Sequence, residues 1–279
     1  MIKSLSSSIL LVLILSVSSA QTYNIATYNL RYDNPDDSLD LWKNRYTHLA
    51  DLVKFYNFDI FGTQEGLKHQ LGDLISVLPE YDYIGVGRTD GQEAGEYAAI
   101  FFKTSQFKLL DKGTFWLSTV TDKPNVGWDA ALPRICTWGK FSDRDSKLTF
   151  FVFNIHFDHK GVQARMESSK LLLSKIPEIA GKSPAILTGD FNIDEKNEGY
   201  LLLKNSSILR DVYDIAEVKL APNGTFNGFN VNGKPEGRID HIFLTKQFEV
   251  QKYGILTNTY NGRYPSDHFP VMVKIKYNK

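Results

Sequence analysis

The sequence predicts an α/β or α+β sandwich in one domain, with sheets covered on both faces. Three observations carry this. Short apolar runs alternate with amphipathic stretches along the whole chain. Several of those runs are apolar at successive positions, as in strands buried on both sides. No internal repeat, low-complexity tract or Pro/Gly/Ser linker interrupts the 279 residues. With 42% apolar, 13% aromatic and 23% charged residues, the composition is globular and excludes disordered, collagen-like and coiled-coil chains.

Residues 1–20 read as a secretory signal peptide. Lys3 supplies the positive charge, Ile9–Leu15 the apolar run, and Ser18-Ser19-Ala20 the small residues before a cut after Ala20. That run falls short of the roughly 20 residues a permanent span needs, and no cysteine stands directly after the cut. The expected product is residues 21–279, secreted or periplasmic, with no membrane anchor.

From there the elements follow in order. Tyr23–Leu30 reads as a strand. Trp42, Leu49, Leu52, Val53 and Tyr56 recur at helical spacing. Asp59–Gly62 is a short buried strand, and Leu67–Leu78 a helix. Glu96–Lys103, Phe107–Trp116, Arg134–Ser142 and Leu148–Phe157 read as strands. Val162–Ala180 is the clearest helix, ended by Gly181-Lys182-Ser183-Pro184. Strands at Ala185–Thr188, Arg238–Leu244, Val250–Leu256 and Val271–Lys276 complete the set. Cys136, the single cysteine, falls on an alternating strand and reads as a buried structural residue.

Polar residues gather where the apolar runs end, where α/β-type folds assemble sites. They are Asn29, Gln64-Glu65, Asn154 and His156, Asp190 and Asn192, Asp240, and Asp267-His268. Each also has an ordinary structural reading. Asn29 suits a turn, Glu65 a solvated or capping position, and Asp190 with Asn192 an Asx-turn. The histidines suit satisfied core positions, whereas Asp240 in an apolar strand needs a partner. As a set, hard oxygen donors dominate, which matches Mg²⁺, Mn²⁺ or Ca²⁺ rather than zinc. No HExxH, phosphate-binding loop, dinucleotide fingerprint or GxSxG elbow is present.

Six blocks in order carry a resemblance: Ala26-Thr27-Tyr28-Asn29-Leu30, Asp59–Glu65, Asn154–Asp158, Leu187-Thr188-Gly189-Asp190-Phe191-Asn192, Arg238–Ile242 and Ser266–Val271. Together they resemble the endonuclease/exonuclease/phosphatase superfamily with the deoxyribonuclease I-like fold, most closely its secreted bacterial members. The resemblance implies a four-layer αββα sandwich, two mixed sheets face to face with helices outside. It implies hydrolysis of phosphate esters with Mg²⁺ or Mn²⁺ held by Glu65, Asn29 and Asp267. It casts His268 as the acid/base imidazole oriented by Asp240, Asp190 and Asn192 as holders of the attacking water, and His156 as a second imidazole at the phosphate. Either Asp190 or His268 could take the water's proton.

Around these blocks, Glu96 could pair with His156 or be a solvated strand end. Arg134 could fork onto phosphate oxygens or form a surface ion pair. Trp128 could stack on substrate or pack in the core. Lysine plus arginine equal aspartate plus glutamate at 32 each, and the loops 86–91 and 127–132 hold one basic residue, Arg88. Duplex nucleic acid is therefore the less favoured substrate. The expected substrate is a small phosphorylated molecule, a phosphosugar or lipid head group. The competing readings are a scavenging nuclease and a non-catalytic binding module, and a monomer is expected.

Overall fold

The computed structural model describes residues 21–221 and 223–278, so the leader expected at 1–20 lies outside the described residues. In chain order the elements are β1 (Thr22–Asn29), α1 (Trp42–Phe55), β2 (Ile60–Gln64), α2 (Lys68–Val77), β3 (Tyr81–Ile84), β4 (Ile100–Lys103), β5 (Phe107–Trp116), β6 (Ile135–Asp143), β7 (Thr149–His156), α3 (Val162–Ala180), β8 (Ala185–Asp190), α4 (Glu198–Lys204), β9 (Arg210–Asp211), α5 (Val212–Ile215), β10 (Val218–Leu220), β11 (Asp240–Leu244), β12 (Phe248–Ile255) and β13 (Val271–Tyr277). The strands form a seven-stranded sheet, β10-β12-β13-β1-β2-β4-β3, and a six-stranded sheet, β5-β6-β7-β8-β11-β9.

Both sheets are mixed. β1 and β2 are parallel and joined through α1, while β7 and β8 are parallel and joined through α3. Period-two alternation explains the doubly apolar runs. In β7, Phe150 and Val152 enter the core between the sheets, whereas Phe151 and Phe153 pack outward in the cluster containing Leu172 and Ile176 of α3. In β1, Ile25 faces inward and Ala26 and Tyr28 outward, in the cluster with Leu49 of α1 and Leu74 of α2. Two outer cores flank one central core, which is the four-layer αββα arrangement. Burying each such phenylalanine contributes about 1.5–3 kcal/mol.

Two features of the strand reading change. The strand expected over Glu96–Lys103 is confined to β4, because residues 96–99 spend their backbone groups on loops and on the opposite sheet. Glu96 and Ala99 carbonyls accept from Arg88 N and Asn154 Nδ2, and Tyr97 N donates to Gly66 O. The short β3, β9, β10, α4 and α5 carry too few residues for a periodic signal. Cys136 is fully buried on β6, as expected.

The topology decides where the site falls. β13 runs antiparallel to β1 and β11 antiparallel to β8, with Asp240 opposite Asp190. The beginnings of β11 and β13 therefore lie at the same end of the sandwich as the ends of β1, β2, β7 and β8. His156 is in turn opposite Asp190 in the parallel β7–β8 register. Beneath that end the two sheets are tied by buried amides. Gln64 Nε2 donates to Asn154 Oδ1 (2.7 Å) and Thr27 Oγ1 (3.0 Å). A Cβ on Gly62 would come within 2.3 Å of Asn154 Oδ1, so only glycine lets the sheets approach there.

Candidate active site

A cavity of about 570 Å³ opens at this end of the sandwich. Of the residues expected from sequence, Glu65, Glu96, Arg134, His156, Asp190, Asn192, Asp267 and His268 line it. Asn29 and Asp240 stand behind the lining and hold it. Asn29 Nδ2 donates to Glu65 Oε1 (3.1 Å) and Asp190 Oδ2 (2.9 Å). Asp240 Oδ2 lies 2.9 Å from His268 Nδ1, which fixes the imidazole and leaves Nε2 directed toward Asp190 Oδ2 at 3.8 Å. Trp128 is not brought to the cavity. It is half-buried on the loop whose next residue, Asp129, accepts from Gln163 N and Ala164 N at the start of α3.

The expected Asx-turn exists, since Asp190 Oδ1 accepts from Asn192 N at 2.9 Å. It coexists with the placement of both residues on the cavity wall, and Asn192 Nδ2 also donates to Phe157 O (3.0 Å). Arg31, Glu65 and Asn192 have φ of 57°, 65° and 51°, conformations that non-glycine residues seldom adopt and that recur at functional sites.

Several participants gave no sequence signal. Arg45 is fully buried on α1 and donates to the carbonyls of Leu30, Arg31 (2.8 Å), Asp40 (2.8 Å) and Pro265 (3.2 Å). It thereby clamps the chain after β1 to the chain before Asp267-His268, a union reinforced by Ser266 Oγ donating to Asn29 O (2.6 Å). Arg31, His159 and Phe226 also line the cavity, and the Phe226 ring meets His268 edge-on with centroids 5.1 Å apart. Arg88, conspicuous in the sequence only as the one basic residue of its loop, faces the same space. Its Nη2 donates to Glu96 Oε1 at 2.7 Å, and Glu96 Oε2 lies 3.7 Å from His156 Nδ1. Arg134 is held by Asp158 (3.3 Å) and has Nη2 2.9 Å from His159 Nδ1.

These contacts set the protonation chemistry. Burial and the neighbouring Asp240 push the Asp190 carboxyl up to about 7. Burial, opposed by His268 and reinforced by Glu65, raises Asp267 to about 6. Glu96 is likewise raised to about 7 by burial, despite Arg88. Burial alone would lower His268, but Asp240 and Asp190 outweigh it and hold the imidazole well above its ordinary value. His156 moves the other way, lowered by burial and then by Arg134 and Arg88.

The chain matches the sequence profile of the Endonuclease/Exonuclease/phosphatase family over residues 26–268. It belongs to that family. An endonuclease/exonuclease/phosphatase family protein of Bacteroides thetaiotaomicron is 47% identical, with a TM-score of 0.91 over 93% of this chain and 99% of that one. A mannosyl-6-phosphatase of the same organism is 48% identical, with a TM-score of 0.89 over 91% of this chain and 99% of that one. An uncharacterized protein of Acanthamoeba polyphaga mimivirus is 28% identical over 83% of this chain and 91% of its own length.

Family membership makes the chain a phosphoric ester hydrolase dependent on a divalent metal, and the donor set fits such an ion. Glu65, His156 and Asp190 bring one ligand atom each within 4.8 Å of one another, and Asp190, Asp240 and His268 form a second such group. Carboxylates whose proton affinity is raised by burial and by one another are what a hard cation relieves. Asp267, expected from sequence as a direct helper of Glu65, lines the same cavity outside both close groups, and its Oδ2 lies 3.9 Å from Arg31. No helix among the described residues is long and apolar enough to cross a membrane.

Proposed function

We propose that the chain is an exported phosphatase that removes the phosphate monoester from a small phosphorylated sugar, using Mg²⁺ or Mn²⁺. The observation that carries the reading is the division of the cavity. Glu65, Asp190 and Asp267 occupy one side, with Arg31 beside Asp267, and the buried guanidiniums of Arg88 and Arg134, with His159 and the Arg88-bound Glu96, occupy the other. A monoester presents non-bridging oxygens that carry up to two negative charges. A wall of fixed guanidinium donors facing a metal-ligand set suits such a group. The 48% identity to a mannosyl-6-phosphatase over nearly the full length supports the same assignment.

In this reading Glu65, with Asn29 and Asp267 beside it, holds the metal, which when bound offsets charge developing on the phosphate and leaving oxygen. Asp190, kept beside His268, accepts the proton of the attacking water, while Asn192 fixes that carboxylate through its backbone N–H. His268, charged and anchored by Asp240, donates to phosphate oxygen in the transition state. His156 remains neutral and donates from one nitrogen to a phosphate oxygen, steadied by Glu96. Arg134 and Arg88 orient the phosphate.

The test is phosphate release from a panel of hexose phosphates, measured beside cleavage of plasmid DNA and a simple phosphodiester, at two salt concentrations. The expected result is a preference for a hexose phosphate, a shallow salt response, and complete loss of turnover with excess chelator that added Mg²⁺ or Mn²⁺ restores. Preferred cleavage of DNA with a steep fall in salt would replace this reading with the nuclease.

A further inference from the structure

A second cavity, about 510 Å³, opens on the other side of the loop that carries Arg88. It is lined from an edge strand of each sheet, β3 from one and β5 from the other. Its floor includes the buried side chains of Ile84 and Trp116, and its rim the exposed Asp90, Gln92, Lys112 and Asp122. The rim mixes both signs of charge with an amide, and the floor is apolar. That combination disfavours a polyanion and an unadorned hydrocarbon alike, since each would leave rim groups desolvated without partners. It matches a neutral polyhydroxyl ligand, whose hydroxyls both donate and accept and whose C–H faces lie on apolar surface.

The wall between the two cavities is a single ordered loop. Gly87 N donates to Gln92 O (2.9 Å), Thr89 N to Ala94 O (3.0 Å) and Gly91 N to Gly87 O (2.9 Å). Asp90 Oδ1 accepts from Gln92 N (2.7 Å) and Ala94 N (3.0 Å). Gly91, at φ +73°, sits where a Cβ would be 3.1 Å from the Trp116 ring. The link across the wall is direct. Arg88 points its guanidinium into the catalytic cavity, while its carbonyl accepts from Trp116 Nε1 at 2.9 Å. Hence Arg88 lines the catalytic cavity with its side chain and holds, through its carbonyl, the Trp116 ring that lines the second.

We infer that this second cavity is a subsite for neutral sugar residues of a phosphorylated oligosaccharide whose phosphate occupies the catalytic cavity, separated from it by the loop 86–95. The inference rests on the sugar-phosphatase reading above and assigns a larger substrate to it. No bond is made or broken at the subsite, so it acts through binding alone and should lower KM.

The experiment compares mannose 6-phosphate with a mannotetraose carrying one terminal 6-phosphate, in the wild-type protein and in Lys112→Ala/Asp122→Ala and Gln92→Ala variants. The wild type should show a KM about tenfold lower for the tetrasaccharide, a difference near 1.4 kcal/mol. The variants should bring the two KM values together and leave kcat/KM for mannose 6-phosphate unchanged. Equal KM values in the wild type, or a tetrasaccharide advantage that survives the substitutions, would overturn the subsite. Calorimetry with unphosphorylated mannotetraose keeps the two proposals apart. Binding that the Lys112→Ala/Asp122→Ala change abolishes upholds the subsite even if neither phosphate ester is hydrolysed. Hydrolysis of mannose 6-phosphate without any such binding upholds the phosphatase and refutes the subsite.

Discussion

The two walls of the catalytic cavity are built from opposite materials in opposite ways. The acidic wall stands on strand ends. Asp190 ends β8 and Asp240 begins β11, directly opposite in the antiparallel register, while Glu65 follows β2 directly and Asp267 lies in the segment leading into β13. The basic wall stands on loops, with Arg88 in the loop after β3 and His159 after β7, and Arg134 just before β6. Its members are held by side-chain partners instead, Glu96 for Arg88 and Asp158 for Arg134. Asp158 is in turn anchored by the backbone N–H groups of Lys160 (2.9 Å) and Gly161 (2.8 Å). The lesson is a division of labour. In the proposed mechanism, the positions assigned to the metal and the water are set by the sheet, whereas those assigned to orienting the phosphate are set by loops, which can vary without disturbing the sheet.

The largest effect expected from breaking this division is on the acidic wall. His268→Ala should lower kcat by roughly 10²–10⁴-fold, the span for loss of a general acid–base group, with a smaller change in KM. Asp240→Asn should lose less, because it retains the shape that orients the ring. Single-turnover measurements at saturating metal decide this, and a His268→Ala enzyme impaired only in KM would remove His268 from the chemical step.

Next in size comes the basic wall. Arg134→Ala should raise KM for a phosphomonoester by roughly 10–100-fold, the worth of a hydrogen bond to a charged group at about 1.5–3 kcal/mol, while the requirement for metal stays constant. Arg134→Lys should recover only part of the loss, since a point charge cannot reproduce a planar fork. A parallel rise in the metal concentration needed for half-maximal rate would mean that the two walls are not separable.

The same contrast decides what was legible in the sequence. The acidic wall could be read because strand ends carry a recognisable setting: Asp190 and Asn192 after Ala185–Thr188, and Asp267-His268 just before β13. Period-two runs likewise marked the central strands. The basic wall could be read only in part. Arg134 was visible beside the start of its strand, and Arg88 only as the one cation in its loop. Arg31 had no periodic or compositional mark. Arg45 was hidden for another reason: it lies on a helix whose spacing suggests an ordinary amphipathic face, and only the tertiary approach of residues 30 and 265 reveals what it does. Trp128 shows the converse, a conspicuous aromatic that does not line the cavity.

The smallest effect expected is also the one that ties the walls together, because each tunes one imidazole. Asp240 and Asp190 raise His268, whereas burial with Arg134 and Arg88 lowers His156. In metal-free protein the two rings should therefore carry different charge at neutral pH, His268 protonated and His156 neutral, which carbon shifts of the rings report by NMR. The stability consequences have opposite sign. An unfolded histidine titrates near 6.5. The raised His268 contributes stability that is fully present below about 6.5 and is lost as pH rises through its folded value. The lowered His156 contributes stability present above about 6.5 and lost as pH falls below it. Urea unfolding of the metal-free protein should then show that His268→Asn flattens the alkaline side of the stability profile and His156→Asn the acid side, with each tenfold difference in proton affinity worth about 1.4 kcal/mol. Arg134→Ala should shift His156 back toward 6.5 and leave His268 where it was. Equal movement of both rings would show that one shared field, not two walls, governs the cavity.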